Sequence, residues 1–191
     1  MNGRKLLVAA VVVAVGQVAF LAAMIQGRAA LLRDGREVVL RTQPVDPRDL
    51  LRGDYVALSY DISRVASTLV QSPRPRDDQP LGAVAVRLQQ GEALQPAQIV
   101  AVFAGQAPGP AAEGQIDLAG ESDTRWSANV EEIMISYGLE RFYLPEGEGR
   151  AVERGMRERT FKMVVAVGEG GQAQIKRFYD GETPIYQEPL Y

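Results

Sequence analysis

Asp54 heads the side chains of this chain that could take part in chemistry. It follows Gly53 and opens the run Tyr55-Val56-Ala57-Leu58-Ser59-Tyr60. Asp49, Glu140 and Glu146 are the carboxylates that could join it. A carboxylate whose pKa is raised by its surroundings serves as a general acid or base. The competing use is structural, because an Asp after Gly bonds nearby backbone N–H groups and fixes a turn. The structural use is the expected one, since no partner nucleophile is visible. Arg48 and Arg52 flank the same stretch, either to pair with Asp49, Asp54 or Glu140 or to meet an anionic ligand, and arginine forks suit carboxylates. Glu146-Gly147-Glu148-Gly149 offers oxygen ligands to calcium but lacks the Asp/Asn ladder of a binding loop, so it reads as a solvated turn. The chain has no cysteine and no histidine. That excludes disulfides, thiol nucleophiles and zinc, copper or haem held through those residues, and removes the commonest general base. No catalytic residue, metal or cofactor is expected.

Local elements must hold these groups in place. Asp46 can cap a short helical turn, with Pro47 at the first helical position and Val45 and Leu50 spaced as a hydrophobic staple. Gly53 sits where that turn ends and a positive φ is useful. In the strand that follows, Val56, Leu58 and Tyr60 face one side, and Tyr55, Ala57 and Ser59 the other. Leu58 and Tyr60 read as core. Tyr55 is either core on the second face or an exposed aromatic at a contact surface, where tyrosine is enriched.

The string Gly53-Asp54-Tyr55-x-x-Leu58-x-Tyr60 resembles the signature of the GDYXXLXY family of bacterial membrane-anchored proteins. Pro44 to Leu50 upstream fits the same family, as does a second block, Tyr137-Gly138-Leu139-Glu140-Arg141-Phe142-Tyr143-Leu144-Pro145-Glu146-Gly147-Glu148-Gly149. The family carries no assigned activity. The resemblance implies an extracytoplasmic carboxy-terminal domain and members that act as companions of polytopic membrane proteins. Type I signal peptidases share an amino-terminal anchor and a distantly similar box over Leu51 to Val56. Their serine ahead of that box has no counterpart between Arg36 and Arg52, and only Lys162 and Lys176 lie beyond the amino-terminal segment. Ser59 and Ser63 are misplaced for such a dyad.

Leu6 to Gln26 is an uncharged run of 21 residues. As a helix it would reach about 31 Å, the hydrocarbon thickness of a bilayer. It exceeds the ~7–15-residue apolar region of a cleaved leader, so it reads as an uncleaved anchor. Arg4, Lys5, Arg28 and Arg33 are the only charged residues before Asp34; without them, 17 basic residues face 24 acidic ones, a net of −7. Such a domain is a poor match for nucleic acid or anionic headgroups.

Beyond the anchor the pattern is β. Strands are expected over Glu37 to Arg41, from Leu81 with Val84, Val86 and Leu88 inward, and over Ile99 to Phe103. A short strand is expected over Gln115 to Ala119 and another through Val130, Ile133, Ile135 and Tyr137. Phe142 to Leu144 reads as a brief strand or turn. Ser63 to Val70 is either a short helix or irregular, Ser72 to Pro80 and Gly105 to Gly114 are loops, and Gly149 to Arg159 suits a short amphipathic helix. Phe161 to Val167 and Ala173 to Tyr179 alternate across Gly168-Glu169-Gly170-Gly171, the pattern of a hairpin. Gly181 to Tyr191 is expected to be a surface tail.

The expected architecture is mainly β: a single transmembrane helix within residues 1–33, then one mostly antiparallel β domain over 34–191 with one or two short helices. The expected role is a non-enzymatic accessory or interaction protein of the bacterial inner membrane, working with an integral membrane partner and not with nucleic acid. Its alternatives are an extracytoplasmic ligand- or glycan-binding domain and a carboxylate-dependent envelope hydrolase.

Overall fold

The computed structural model describes residues 3–43, 55–71, 73–143 and 161–189. A helix, α1 (Gly3–Asp34), is followed by β1 (Arg36–Gln43), β2 (Tyr55–Ala57), β3 (Ser59–Tyr60), β4 (Arg64–Ala66), β5 (Pro80–Gln89) and β6 (Gln98–Ala104). Then come β7 (Gln115–Arg125), β8 (Glu132–Met134), β9 (Arg141–Tyr143), β10 (Phe161–Val167), β11 (Ala173–Asp180) and β12 (Thr183–Gln187). The strands form a five-stranded sheet ordered β12-β11-β10-β1-β3, a three-stranded sheet ordered β6-β5-β7, and two ribbons, β2-β9 and β4-β8. The ladders between these strands are antiparallel. The class is mainly β, with one apolar helix at the amino terminus.

Alternating side chains build the core between the sheets. Val86 and Leu88 of β5, Leu118 of β7, Leu40 of β1, Met163 of β10 and Phe178 of β11 are all essentially inaccessible. Full burial of one such side chain stabilises the fold by about 2 kcal/mol. The 161–179 hairpin forms as its pattern predicts, closed by Gly171 N–H to the Gly168 carbonyl at 2.9 Å. Val164 and Ala166, the intervening residues of β10, are buried as well, because the end of α1 with the Gly35 bend covers Ala166 and the 91–95 loop lies beside Val164.

α1 continues past the uncharged run for two turns. Over those turns Ala29 and Leu32 are buried where the helix meets β10 and β11. The chain bends immediately at Gly35, whose N–H bonds the Leu31 carbonyl at 2.9 Å, and enters β1.

Four expectations change. The motif strand is divided at Leu58 into β2 and β3, which pair with different partners. The Ser63–Val70 region resolves into β4 and a 3₁₀ turn, Ser67–Leu69, after another 3₁₀ turn at Asp61–Ser63. β7 is 11 residues long rather than a short Gln115–Ala119 strand. Its second half is polar because that half is partly exposed, which hides the strand from a hydrophobicity reading. The tail is not merely a surface segment, since Thr183–Gln187 pairs with β11 as an edge strand, a position where Pro184 is tolerated. The expected turn over 45–51 and the helix over 149–159 lie outside the described residues.

Candidate functional site

The motif and the second block meet. β2 pairs with β9 in the register Tyr55↔Tyr143, Val56↔Phe142 and Ala57↔Arg141. The contact then extends past the ladder, with Leu58 N–H donating to the Glu140 carbonyl at 2.8 Å. Leu58 and Tyr60 are 4% and 0% exposed, so the two motif residues read as core are core. The Tyr60 hydroxyl donates to the Leu139 carbonyl at 2.8 Å, and its backbone N–H donates to the Ser63 hydroxyl at 3.2 Å. From the other block, the Tyr137 hydroxyl donates to the Ile62 carbonyl at 2.6 Å. Phe142 packs edge-on against Phe178 and Tyr186, with ring centres at 5.5 and 5.0 Å, and ties the β2-β9 ribbon to the five-stranded sheet.

Glu140 has a defined task here. Its carboxylate accepts the Tyr137 N–H across a turn in which Gly138 takes φ +73°. Burial pushes the Tyr60 and Tyr137 phenols well above the ordinary tyrosine range, and the Glu140 charge pushes both further. Both phenols therefore stay protonated donors. A carboxylate oxygen bonded to a backbone N–H and two phenols bonded to carbonyls form a clamp.

The remaining expected site residues are not brought into this picture. Arg48, Arg52, Gly53, Asp54, Pro145, Glu146 and Gly147 lie outside the described residues, as does the Tyr55 side chain.

A concavity occurs at the opposite end of β1, which carries its first residue, Arg36, while its last, Gln43, pairs with Ser59 of the motif. The span between them is about 24 Å of extended strand. The cleft has a volume of about 1240 Å³. Ala30, Leu31 and Asp34 of α1 form one wall, the 168–172 turn a second, and the 105–111 loop a third. Asp117 also lines it but is neutralised by a bidentate Arg87, with both N···O distances 2.8 Å. Sequence reasoning missed this cleft because its walls are glycine and alanine runs, taken only as connections. A usable signal was the spacing of Ala30, Leu31 and Asp34, which places them on one helical face beyond Arg28, the charged residue that ends the apolar run. The cleft begins about 6 Å past Gln26 along the helix axis.

A helix long and apolar enough to cross a membrane, with none of its most apolar window buried against the rest of the protein, carries an antiparallel β unit whose two motif blocks lock each other. These features define a β protein borne on one amino-terminal candidate membrane span. The family model described as GDYXXLXY protein matches residues 17–178, and the chain belongs to that family. No curated protein and no solved structure matches it.

Proposed function

We propose that the protein is a single-pass accessory protein of the bacterial inner membrane, with its β domain on the extracytoplasmic side, and that it works by binding an integral membrane protein. The observation that carries this reading is the division of labour between the two ends of the domain. At the motif end, Tyr60, Tyr137 and Glu140 are consumed by internal hydrogen bonds. At the helix end, α1 keeps its apolar surface uncovered while its last turns are packed into the domain through Ala29 and Leu32. A chain anchored in the plane of a membrane meets a membrane partner at raised effective concentration. The packed end of α1 also favours its retention as an anchor, since removing it would uncover β10 and β11. The extracytoplasmic orientation rests on the family resemblance. For the hydrolase alternative, one oxygen of Glu140 already accepts the Tyr137 N–H and no nucleophile stands beside it among the described contacts of the clamp.

Photocrosslinking in the membrane tests the reading. Photoreactive residues replace Ala30, in the cleft wall, and Leu21, on the uncovered helix, one at a time. One recurrent integral membrane protein should be captured. Capture of none, from a folded and membrane-located protein, would end the accessory reading. Because the chain lacks cysteine, Glu169→Cys gives a single label site, and a membrane-impermeant maleimide should reach it from outside the cytoplasm.

The cleft favours one second reading, a ligand-binding domain, because a concavity of about 1240 Å³ has room for a small molecule. It lies at the opposite end of β1 from the motif.

A further inference from the structure

The cleft beside α1 continues a feature of the helix itself. At about 100° per residue, Gly16, Ala19, Ala23 and Gly27 fall within an arc of about 80° that also contains Ala30 and Asp34 of the cleft wall. None of the first four carries a side chain beyond a methyl group, and a Cβ placed on Gly16 or Gly27 meets nothing within 4 Å. One small-residue stripe therefore runs open from the middle of the apolar run into the cleft. Inside a bilayer, such residues let a second helix approach closely.

The cleft has the size and charge for the end of that second helix. A helix about 10 Å across fills 1240 Å³ with about 16 Å of its length, or about three turns. One wall is fixed in advance. Arg87 Nη2 donates to the Gly109 carbonyl at 2.8 Å, and the Gly105 N–H donates to the Ala83 carbonyl at 2.7 Å, which together hold the 105–111 loop. Preorganised walls reduce the ordering cost of binding. Asp34 and Glu169 line the cleft without a hydrogen-bond or ion-pair partner among the described residues. Arg36 is the one cation among the lining residues, and Arg87 offsets Asp117. Two free carboxylates against one arginine leave a net charge of −1. A second copy of the chain would bring its own Asp34 and Glu169 to this surface, and like charges oppose that pairing. A basic side chain complements it.

We propose, on the accessory reading, that a transmembrane helix of the integral membrane partner lies along the Gly16–Gly27 face of α1 and ends in the cleft, with a lysine or arginine beside Asp34 and Glu169.

Photocrosslinking of the full-length protein in native membranes tests this occupant. Photoreactive residues replace Ala23 in the stripe and Ala30 in the cleft, one at a time, and mass spectrometry locates the attachment points on the captured protein. Both should attach to one transmembrane helix of one protein, about seven residues apart, since Ala23 and Ala30 are separated by about 10 Å of helix. A lysine or arginine should stand within one turn of the Ala30 attachment point. Gly27→Ile fills the stripe where no other group is near, and should lower capture from both positions about tenfold, or about 1.4 kcal/mol. Asp34→Asn with Glu169→Gln should lower it about two- to fivefold, the effect of an exposed ion pair. Unchanged capture in either folded variant overturns the proposal. So does attachment outside a transmembrane helix, to a phospholipid, or to α1 of a second copy. Capture of an integral membrane protein from Leu21 but not from Ala23 overturns it while leaving the accessory reading intact, whereas capture from no position ends both.

Discussion

Tyr60 and Tyr137 are reciprocal. Each donates its phenol to the carbonyl two residues beyond the other, Tyr60 to Leu139 and Tyr137 to Ile62. The arrangement crosses two segments far apart in the sequence and holds both backbones at once.

Removing either hydroxyl leaves a buried carbonyl without that donor. Tyr60→Phe and Tyr137→Phe should each lower stability by about 1–3 kcal/mol. Because the two bonds brace one crossing, the double variant should depart from additivity by at least about 0.5 kcal/mol. Denaturant unfolding of the three variants measures both effects. Strict additivity would mean that the bonds act independently.

Alkaline pH should destabilise the protein through the same pair. Both phenols titrate higher in the folded chain than in the unfolded one. Their contribution is therefore complete below about pH 10 and is lost as pH rises beyond it, by up to about 1.4 kcal/mol per unit for each tyrosine. Melting temperatures across the range from pH 8 to 11 check the sign. The Tyr60→Phe/Tyr137→Phe protein should show a shallower decline.

Glu140→Gln separates charge from hydrogen bonding. The amide can still accept the Tyr137 N–H, so the fold should persist with a loss of about 1 kcal/mol. The negative charge that helps raise the two phenols is gone. Spectrophotometric tyrosine titration should then show the buried phenols ionising at lower pH than in the parent protein. An unchanged or higher midpoint would contradict the placement of Glu140.

Two glycines should respond differently to alanine. Gly138, at φ +73°, has open space where a Cβ would stand. Gly138→Ala should cost only the left-handed backbone strain, about 1–2 kcal/mol. Gly171, at φ +80°, would place its Cβ 2.8 Å from the backbone nitrogen of Ala119. Gly171→Ala should cost about 2–4 kcal/mol, as strain and overlap add. Thermal unfolding of the two variants ranks them.

Much of the fold was legible where one face of a strand is apolar. The alternation in β5 and the core face of β10 survive because those strands pack on the core, and Leu58 and Tyr60 obey the same period. The division at Leu58 was hidden, since inward and outward facing continue unbroken across it. The partners of Tyr60 and Tyr137 were hidden too. They lie 79 and 75 residues away, and local spacing carries no record of such a crossing. Partly exposed β7 and edge strand β12 lack a hydrophobic period to detect. In β11 a register shift at Lys176 puts Ile175 and Phe178, three residues apart, on the core, so strict alternation assigns Phe178 to the wrong face.

The unbroken passage of α1 into its seat on β10 and β11 makes the helix a rigid shaft. Its rotational phase sets the direction in which the cleft opens. One residue inserted between Gln26 and Ala29 would turn the apolar run by about 100° relative to the domain, whereas seven would restore its phase to within about 20° and lift it by about 10 Å.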